Sequence, residues 1–231
     1  MHKLIFTLIF STLYVSAHCA GMDDDPEVKA LLARFNSMKA SVVLQDDFNL
    51  PMDRRTQGPV KIENGSIFYP EDRSEAVYVY YSVVLPRRGC LSLDFRLDKM
   101  PKDHNFMTLC DAGTAGNTKF MVRLGMDRRV CVYITTRREQ IRMISDPVES
   151  GKWHELKWLY APEGSVLQID GIIQDYSTDI CTPYSVETGE AFYLGDQPWW
   201  DSSARKGIFY PYDSFVGQLD NLSLEGLSEV K

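Results

Sequence analysis

The sequence predicts an all-β protein, in which two antiparallel sheets pack as a sandwich and one short helix precedes them. From residue 41 onward, apolar and polar residues alternate with a period of two in one segment after another. Glycine, proline, asparagine and aspartate separate these segments at the spacing of roughly 8–12 residues that sandwiches show. The chain has 231 residues, 44% apolar and 25% charged, which is the composition of a globular domain.

The first residues of the sequence predict a secreted protein, extracellular or periplasmic. Residues 1–20 combine a basic start, an apolar stretch of about 14 residues and small residues at the end, as secretory signal peptides do. No other apolar run approaches the ~18–20 residues of a membrane-spanning helix, so no transmembrane segment is expected. The net charge is −7, and loss of Lys3 with the signal leaves 24 basic against 32 acidic residues, a net of −8. This negative charge argues against nucleic acid as a partner.

Residues 21–40 form an acidic segment that contains an amphipathic helix. Asp25, Pro26 and Glu27 have the types expected of an N-cap, a first helical residue and an acidic first turn. An apolar stripe at helical spacing predicts a helix over 26–39, with the members Val28, Leu31, Leu32, Phe35 and Met38. We expect the stripe to pack on the following domain; the alternative is a helix that binds a partner.

Strand signals occupy most of the remaining chain. Asn64-Gly65 between two short apolar runs predicts a hairpin over 60–69, because these residues adopt the positive φ angles of a type I′ turn. Residues 76–85 and 90–98 predict longer strands, the second with strict alternation. Further strands are expected at 106–111, 119–125, 129–135, 140–145, 153–160, 165–170, 191–195 and 215–224.

Four cysteines lie well inside the predicted mature chain: Cys90, Cys110, Cys131 and Cys181. In an oxidising compartment an even number suggests disulfides, here two bridges with three possible pairings. Buried free cysteines are the alternative. No Cys-x-x-Cys motif occurs, so a zinc site is not expected.

Three sequence motifs, in the right order, resemble a known superfamily. Gly151-Lys-Trp153-His154 with Asp170-Gly171 is similar to the central hairpin of laminin-G-like, concanavalin A-like lectin-glucanase domains. The segments 44–65 and 192–222 resemble the opening and the close of these domains. The resemblance implies an antiparallel two-sheet jelly-roll sandwich over residues 41–228. Trp153 and Trp158 are large apolar side chains on a predicted strand, so we expect both in its core. Lectins, adhesion modules and glycan hydrolases share this fold, so the fold alone does not define the activity.

Catalytic motifs are weak in this chain. The Glu-x-Asp-x-Glu strand of laminarinase-like members is absent, and Asp94 and Asp98, the nearest acids on one strand, lie ~13 Å apart with Arg96 between them. We expect an exposed charged face there. His104 and His154 are interpreted as solvated or structural. A non-enzyme is favoured; the alternative is a glycan-cleaving enzyme whose paired carboxylates the sequence does not reveal.

Two regions are candidates for sugar binding, because aromatic faces stack on sugars while carboxylates, amides and arginine bind hydroxyls. Tyr78 and Tyr80 are predicted to share one face of strand 76–85. The long segment 195–213 is aromatic without strand periodicity, and it is predicted either to form a ligand-binding rim or to pack back on the sandwich edge. Its candidate ligand-binding residues are Trp199, Trp200, Asp201, Arg205, Tyr210 and Tyr212.

A structural calcium ion is a further possibility. Asp46, Asp47 and Asp220 lie near the two ends of the β domain, whose first and last strands are neighbours in a jelly roll. We assign Asp47 and Asp220 as candidate ligands; the alternative is a set of solvated turn acids. Together these features predict a secreted, non-catalytic module that binds a carbohydrate or glycoprotein. A protein-binding adhesion module is a third alternative.

Overall fold

A computed structural model describes residues 22–49, 55–57, 60–70, 78–100, 106–114, 117–136, 138–179, 181–183, 189–195, 199–201, 206–208 and 215–230. The predicted signal segment and His104 lie outside these ranges. Within them, helix α1 spans Pro26–Asn36 and seventeen strands follow: β1 Met38–Asp46, β2 Arg55–Gln57, β3 Lys61–Glu63, β4 Ser66–Tyr69, β5 Tyr78–Val84, β6 Gly89–Leu97, β7 Phe106–Thr114, β8 Asn117–Gly125, β9 Arg129–Thr135, β10 Gln140–Pro147, β11 Trp153–Ala161, β12 Gly164–Ile169, β13 Ile172–Ser177, β14 Gly189–Gly195, β15 Trp199–Asp201, β16 Lys206–Ile208 and β17 Gly217–Glu229.

The strands form two large antiparallel sheets, as the alternation predicts. The eight-stranded sheet has the order β13-β12-β11-β6-β17-β4-β3, and β1 also pairs with β17. The seven-stranded sheet has the order β10-β9-β8-β7-β14-β5-β2. Strands β15 and β16 form a separate hairpin. This arrangement confirms the predicted all-β jelly-roll sandwich, and in the described ranges a single α-helix precedes the strands, itself preceded by a 3-10 turn at Met22–Asp24.

The core lies between the two sheets and is rich in aromatic side chains. Phe120 makes edge contacts with Trp158 and Phe192, at centroid distances of 4.9 and 6.0 Å, and Trp158 stacks on Tyr160 at 4.6 Å. The indole Nε1 of Trp158 donates a hydrogen bond of 2.8 Å to the Ser165 hydroxyl, which donates in turn to a backbone carbonyl. The polar atom of this large buried residue therefore has a partner, as burial requires.

Helix α1 covers part of the outer surface of the eight-stranded sheet. Asp25 caps it by accepting a hydrogen bond from the Glu27 amide, as predicted. Its stripe packs on the sheet rather than facing solvent, in a cluster of Val28, Leu31, Phe35, Cys90, Leu159, Ala161, Val166 and Ile173. The helix ends at Asn36, three residues before the predicted end, because Met38 already pairs with Glu229 as the first residue of β1. Within the described ranges no helix has the length and hydrophobicity needed to cross a bilayer.

The motifs of the resemblance form tight hairpins. Asn64 and Gly65 have φ angles of 52° and 81°, and Asp170 and Gly171 have 54° and 76°, as two-residue turns of this type require. Asp170 Oδ2 also lies 2.7 Å from Nδ1 of His154, whose Nε2 lies 3.0 Å from the Glu149 carbonyl oxygen. His154 therefore ties the start of β11 to the turn after β12, and its predicted structural role is supported.

The expectation that Trp153 lies in the core is wrong. Trp158 is fully buried, whereas Trp153 is 43% exposed and lies against the Arg96 guanidinium, 5.8 Å from the ring centroid. The two residues are separated by an odd number of positions on one strand, so their side chains point to opposite faces. Arg96 also donates to Asp98 at 2.7 Å, as expected for a charged outer face.

The predicted disulfides are absent: the four cysteines of the described chain are all free and buried. Cys90 lies under helix α1, on the outer side of the eight-stranded sheet. Cys110 and Cys181 belong to the core between the sheets. Cys131 alternates with the core residues Val130 and Val132, so it lies on the outer side of the seven-stranded sheet. The sandwich separates these sulfur atoms, and the alternative of buried free cysteines holds.

Candidate functional site

Three tyrosines cluster on the outer side of the seven-stranded sheet. Tyr78 and Tyr80 from β5 and Tyr193 from the adjacent β14 have ring centroids 5.5 to 6.1 Å apart. All three are partly exposed, and burial raises the pKa of Tyr78 and of Tyr193. Their neighbours Val79 and Leu194 face the core, so the alternation of both strands places the tyrosines outside. The prediction that Tyr78 and Tyr80 share one face is confirmed, and Tyr193 completes the cluster.

The strand register extends this cluster into a row across six strands. Tyr80 pairs with Tyr193, Tyr193 with Asp111, Asp111 with Met121, Met121 with Tyr133 and Tyr133 with Arg142. Directly paired residues point to the same side, and five strand spacings make the row ~24 Å long. We call this surface, with the neighbouring Tyr78 and Arg123, the tyrosine face; its members are Tyr78, Tyr80, Asp111, Met121, Arg123, Tyr133, Arg142 and Tyr193.

Asp111 has the most unusual environment on the tyrosine face. It is only 1% exposed, although Met121, Arg123 and Tyr193 around it are partly exposed. Neither carboxyl oxygen makes a hydrogen bond of regular geometry, although the Ala112 amide lies close enough to act on the carboxyl. Burial raises the pKa of Asp111 well above its ordinary value, and the positive charge of Arg123 and the Ala112 amide offset this only in part. Buried polar groups nearly always have hydrogen-bond partners, so the unsatisfied carboxyl makes Asp111 a candidate functional residue.

Two arginines flank Tyr133 at the far end of the tyrosine face. The Arg142 guanidinium lies over the Tyr133 ring, 5.5 Å from its centroid, and its Nη2 is 3.7 Å from the Cys131 sulfur. Arg123 pairs across the sheet with Cys131. The positive charges of both arginines lower the pKa of Tyr133, while burial raises it more strongly. Within the described ranges no carboxylate makes an ion pair with the exposed Arg142 guanidinium, and the negative charge of Asp127 acts on it only from a longer distance.

The residues predicted to form a ligand-binding rim belong to a different segment from the tyrosine face. Trp199, Trp200 and Asp201 form β15, which pairs with β16, so the segment predicted to lack strand structure contains a short hairpin. Arg205, Tyr210 and Tyr212 lie outside the described residues. The binding role of this segment therefore stays a prediction.

The acids proposed for calcium do come together. Asp46 pairs with Leu222, which confirms that the first and last strands are neighbours. Burial raises the pKa of Asp220, and the negative charges of Asp94, Asp47 and Asp46 raise it further. Several oxygens are already in use: Asp46 accepts from the Phe48 amide and the Tyr81 hydroxyl, and Asp47 and Asp220 each accept from a backbone amide.

A metal ion would have to share these oxygens. Across the ranges that the structure describes, no group of three or more histidine, cysteine, aspartate or glutamate side chains is arranged to hold one. The described residues therefore do not form a ready set of calcium ligands. The assignment of Asp47 and Asp220 as ligands stays a prediction.

Sequence reasoning missed six residues of the tyrosine face: Asp111, Met121, Arg123, Tyr133, Arg142 and Tyr193. Tyr193 carried a usable signal, because it alternates with the core residues Phe192 and Leu194 as Tyr80 alternates with Val79 and Tyr81. Asp111 could also have been noticed, because it is the only acid in a strand whose other residues are apolar or small. Only the strand order brings these residues together, because Tyr193 pairs with Asp111, 82 residues earlier, and with Tyr80, 113 residues earlier.

Solved structures with the same architecture come from several functional classes. The chain is similar to the receptor-binding domain of a botulinum neurotoxin mosaic of serotypes C and D, with a TM-score of 0.60 at 12% identity, over 85% of this chain and 49% of that chain. It is similar to a non-specific endo-β-1,3(4)-glucanase of family GH16, with a TM-score of 0.54 at 11% identity, over 83% and 92%. It is also similar to domain 4 of a GH43 extracellular arabinanase from Geobacillus stearothermophilus in complex with arabinotriose, with a TM-score of 0.51 at 13% identity, over 83% and 84%.

No protein-family model and no curated protein matches the sequence. At 11 to 13% identity the structural likeness concerns the fold alone. The structures that share it include an arabinotriose-bound domain and a glucanase, so the fold is compatible with both sugar binding and sugar cleavage. The two-sheet topology and these likenesses confirm the resemblance found in the sequence: the chain folds as a concanavalin A-like jelly-roll sandwich.

Proposed function

We propose that this protein is a secreted, non-catalytic module that binds a glycan or a glycoprotein through the tyrosine face. The observation that supports this most strongly is the contact of Tyr78, Tyr80 and Tyr193 on an outer sheet surface, next to Asp111 and two arginines. Partly exposed aromatic rings supply apolar faces for sugar rings, and the adjacent charged groups supply hydrogen bonds to hydroxyls. The row is long enough for an oligosaccharide.

The helix does not support the alternative of an adhesion module that binds a partner through α1. Its apolar stripe, including Val28 and Phe35, is buried against the sheet, so that surface is not available to another protein. The β15–β16 segment remains a second candidate surface, because apolar residues on a connecting segment often mark a binding site.

A glycan-cleaving enzyme is the second candidate function, and Asp111 is the observation that favours it. A carboxyl group whose pKa is raised by burial is suited to donate a proton to a leaving group. Glycoside hydrolysis usually needs a second carboxylate at ~5–9.5 Å, and among its described members the tyrosine face contains only Asp111. Binding without cleavage is therefore the better supported function.

The test is a glycan array probed with the mature protein and two variants. Tyr193→Ala should remove most of the signal, because it takes the central ring from the cluster. Trp153→Ala is the matched control, since it removes an exposed aromatic ring from the opposite sheet. Loss of binding with Trp153→Ala but not with Tyr193→Ala would place the ligand on the other face. Release of reducing ends from a bound glycan would support the enzyme.

A further inference from the structure

The tyrosine face differs in charge from the rest of this acidic protein. The whole chain has a net charge of −7, yet the described members of the face include two arginines and a single carboxyl group. The two arginines come from β8 and β10, on either side of β9, and both act electrostatically on Tyr133 between them. Positive charge is therefore concentrated over one half of the row, beyond the tyrosine cluster.

Asp111 does not neutralise this positive charge. Its carboxyl is 1% exposed and has no hydrogen-bond partner of regular geometry, and no ion pair joins it to Arg123. An ionised carboxylate in such a place would require strong compensation, whereas a protonated one is neutral and can donate a hydrogen bond. The buried Asp111 carboxyl therefore adds no exposed negative charge beside Arg123, so an anion that binds near this cation meets no repelling surface acid from Asp111.

We propose that the tyrosine face selects an acidic glycan, with the anionic group of one sugar bound near Arg123 and Arg142 and the neighbouring sugars lying towards Tyr193 and Tyr80. This inference deepens the proposed function and rests on it. The planar guanidinium groups match a carboxylate or a sulfate, which share the chemistry of a multiply accepting anion. Asp111 lies between the two halves but is buried, so it presents no exposed negative charge to the ligand.

The experiment measures the affinity of the mature protein for three oligosaccharides of equal length: a uronic acid oligomer, the same oligomer with its carboxyl groups reduced to alcohols, and a sulfated neutral oligomer. We expect a charged oligomer to bind at least about tenfold more tightly than the reduced one, as for hydrogen bonds to a charged group. Its affinity should fall as salt rises from 50 to 500 mM, roughly the range over which surface charges become screened. The uronic and sulfated arms show which anion is preferred.

Two arginine variants separate a specific site from general attraction. Arg142→Gln should weaken binding of the charged oligomer about tenfold and leave binding of the reduced oligomer unchanged. Arg87→Gln is the matched control, because it removes the same charge from an exposed position between β5 and β6. Equal losses in the two variants would overturn the proposal. Asp111→Asn, which keeps a neutral donor at this position, should retain the preference for the charged oligomer.

The outcomes also distinguish this inference from the function on which it rests. Equal affinity for the charged and the reduced oligomer, with both lost in Tyr193→Ala, would leave the glycan-binding function intact and overturn the acidic preference. Failure of all three oligomers to bind, together with an empty glycan array, would overturn both.

Discussion

Replacing Asp111 with asparagine should change how the stability of the protein depends on pH. Burial raises the pKa of Asp111 above its value in the unfolded chain, which is ~3.9. Between these two pKa values the folded protein binds one proton more than the unfolded chain. The stability of the wild type therefore falls as the pH rises through this window, and asparagine does not titrate.

The size of the effect follows from linkage. One proton of difference corresponds to ~1.4 kcal/mol for each pH unit within the window. Below about pH 4 the two proteins should have similar free energies of unfolding, because a neutral carboxyl and an amide are nearly isosteric. By pH 7 Asp111→Asn should be the more stable protein. The measurement is urea unfolding of both proteins at intervals from pH 4 to 8, followed by tryptophan fluorescence.

A buried aspartate with hydrogen-bond partners is the matched control. Asp46 is also 1% exposed, but its oxygens accept from the Phe48 amide and the Tyr81 hydroxyl. Asp46→Asn should lose roughly 1–3 kcal/mol at pH 7, since an amide nitrogen replaces one of the two accepting oxygens and leaves a buried donor facing another donor. Replacing aspartate with asparagine should therefore raise the free energy of unfolding at position 111 and lower it at position 46. Parallel pH profiles for the wild type and Asp111→Asn would refute this account of the tyrosine face.

Three further changes test other parts of the structure. Ser165→Ala should lower the free energy of unfolding by ~1–3 kcal/mol, because the buried indole N–H of Trp158 loses its acceptor. The loss should be smaller when Trp158 is already replaced by phenylalanine. Denaturant unfolding of the wild type, the two single variants and the double variant gives the coupling energy. Asp220→Asn should raise the melting temperature at pH 7 but not below pH 4, since the raised pKa of Asp220 makes its ionisation unfavourable in the folded state; screening at this partly exposed site limits the gain to ~1 kcal/mol. If calcium binds there, adding it should stabilise the wild type and not Asp220→Asn, and no shift at millimolar calcium would exclude the metal. Alkylation of the unreduced, denatured protein followed by peptide mapping should modify the four cysteines from Cys90 to Cys181, and a protected pair would contradict the free thiols.

The parts of the fold that could be predicted are those encoded within a few residues. The alternation of β6 and the turn at Asn64-Gly65 each appear in the structure where local pattern places them. The end of helix α1 was predicted three residues too late, because Met38 continues the apolar stripe while its backbone pairs with a strand nearly 200 residues away. A local sequence pattern contains no information about pairing with so distant a strand.

The candidate site was predictable only in part, for the same reason. Tyr78 and Tyr80 could be found because they alternate within one strand. Tyr193, Asp111 and Arg142 join them through pairings between strands that are distant in sequence. Each of these residues alone resembles an ordinary outward side chain of a half-buried strand, and only the order of the strands shows that they share a surface.

The position of β17 has a consequence for biosynthesis. This strand pairs with β6 on one side and with β4 and β1 on the other, so it joins the two halves of the eight-stranded sheet. During translation the edge of β6 and the edges of β1 and β4 stay unpaired until residues 217–229 have emerged from the ribosome. Exposed strand edges are templates for association with other chains, and non-local pairing of this kind forms slowly. A nascent chain that lacks these residues should therefore depend on chaperones, and mutations that slow translation shortly before residue 217 should increase aggregation without changing the folded protein.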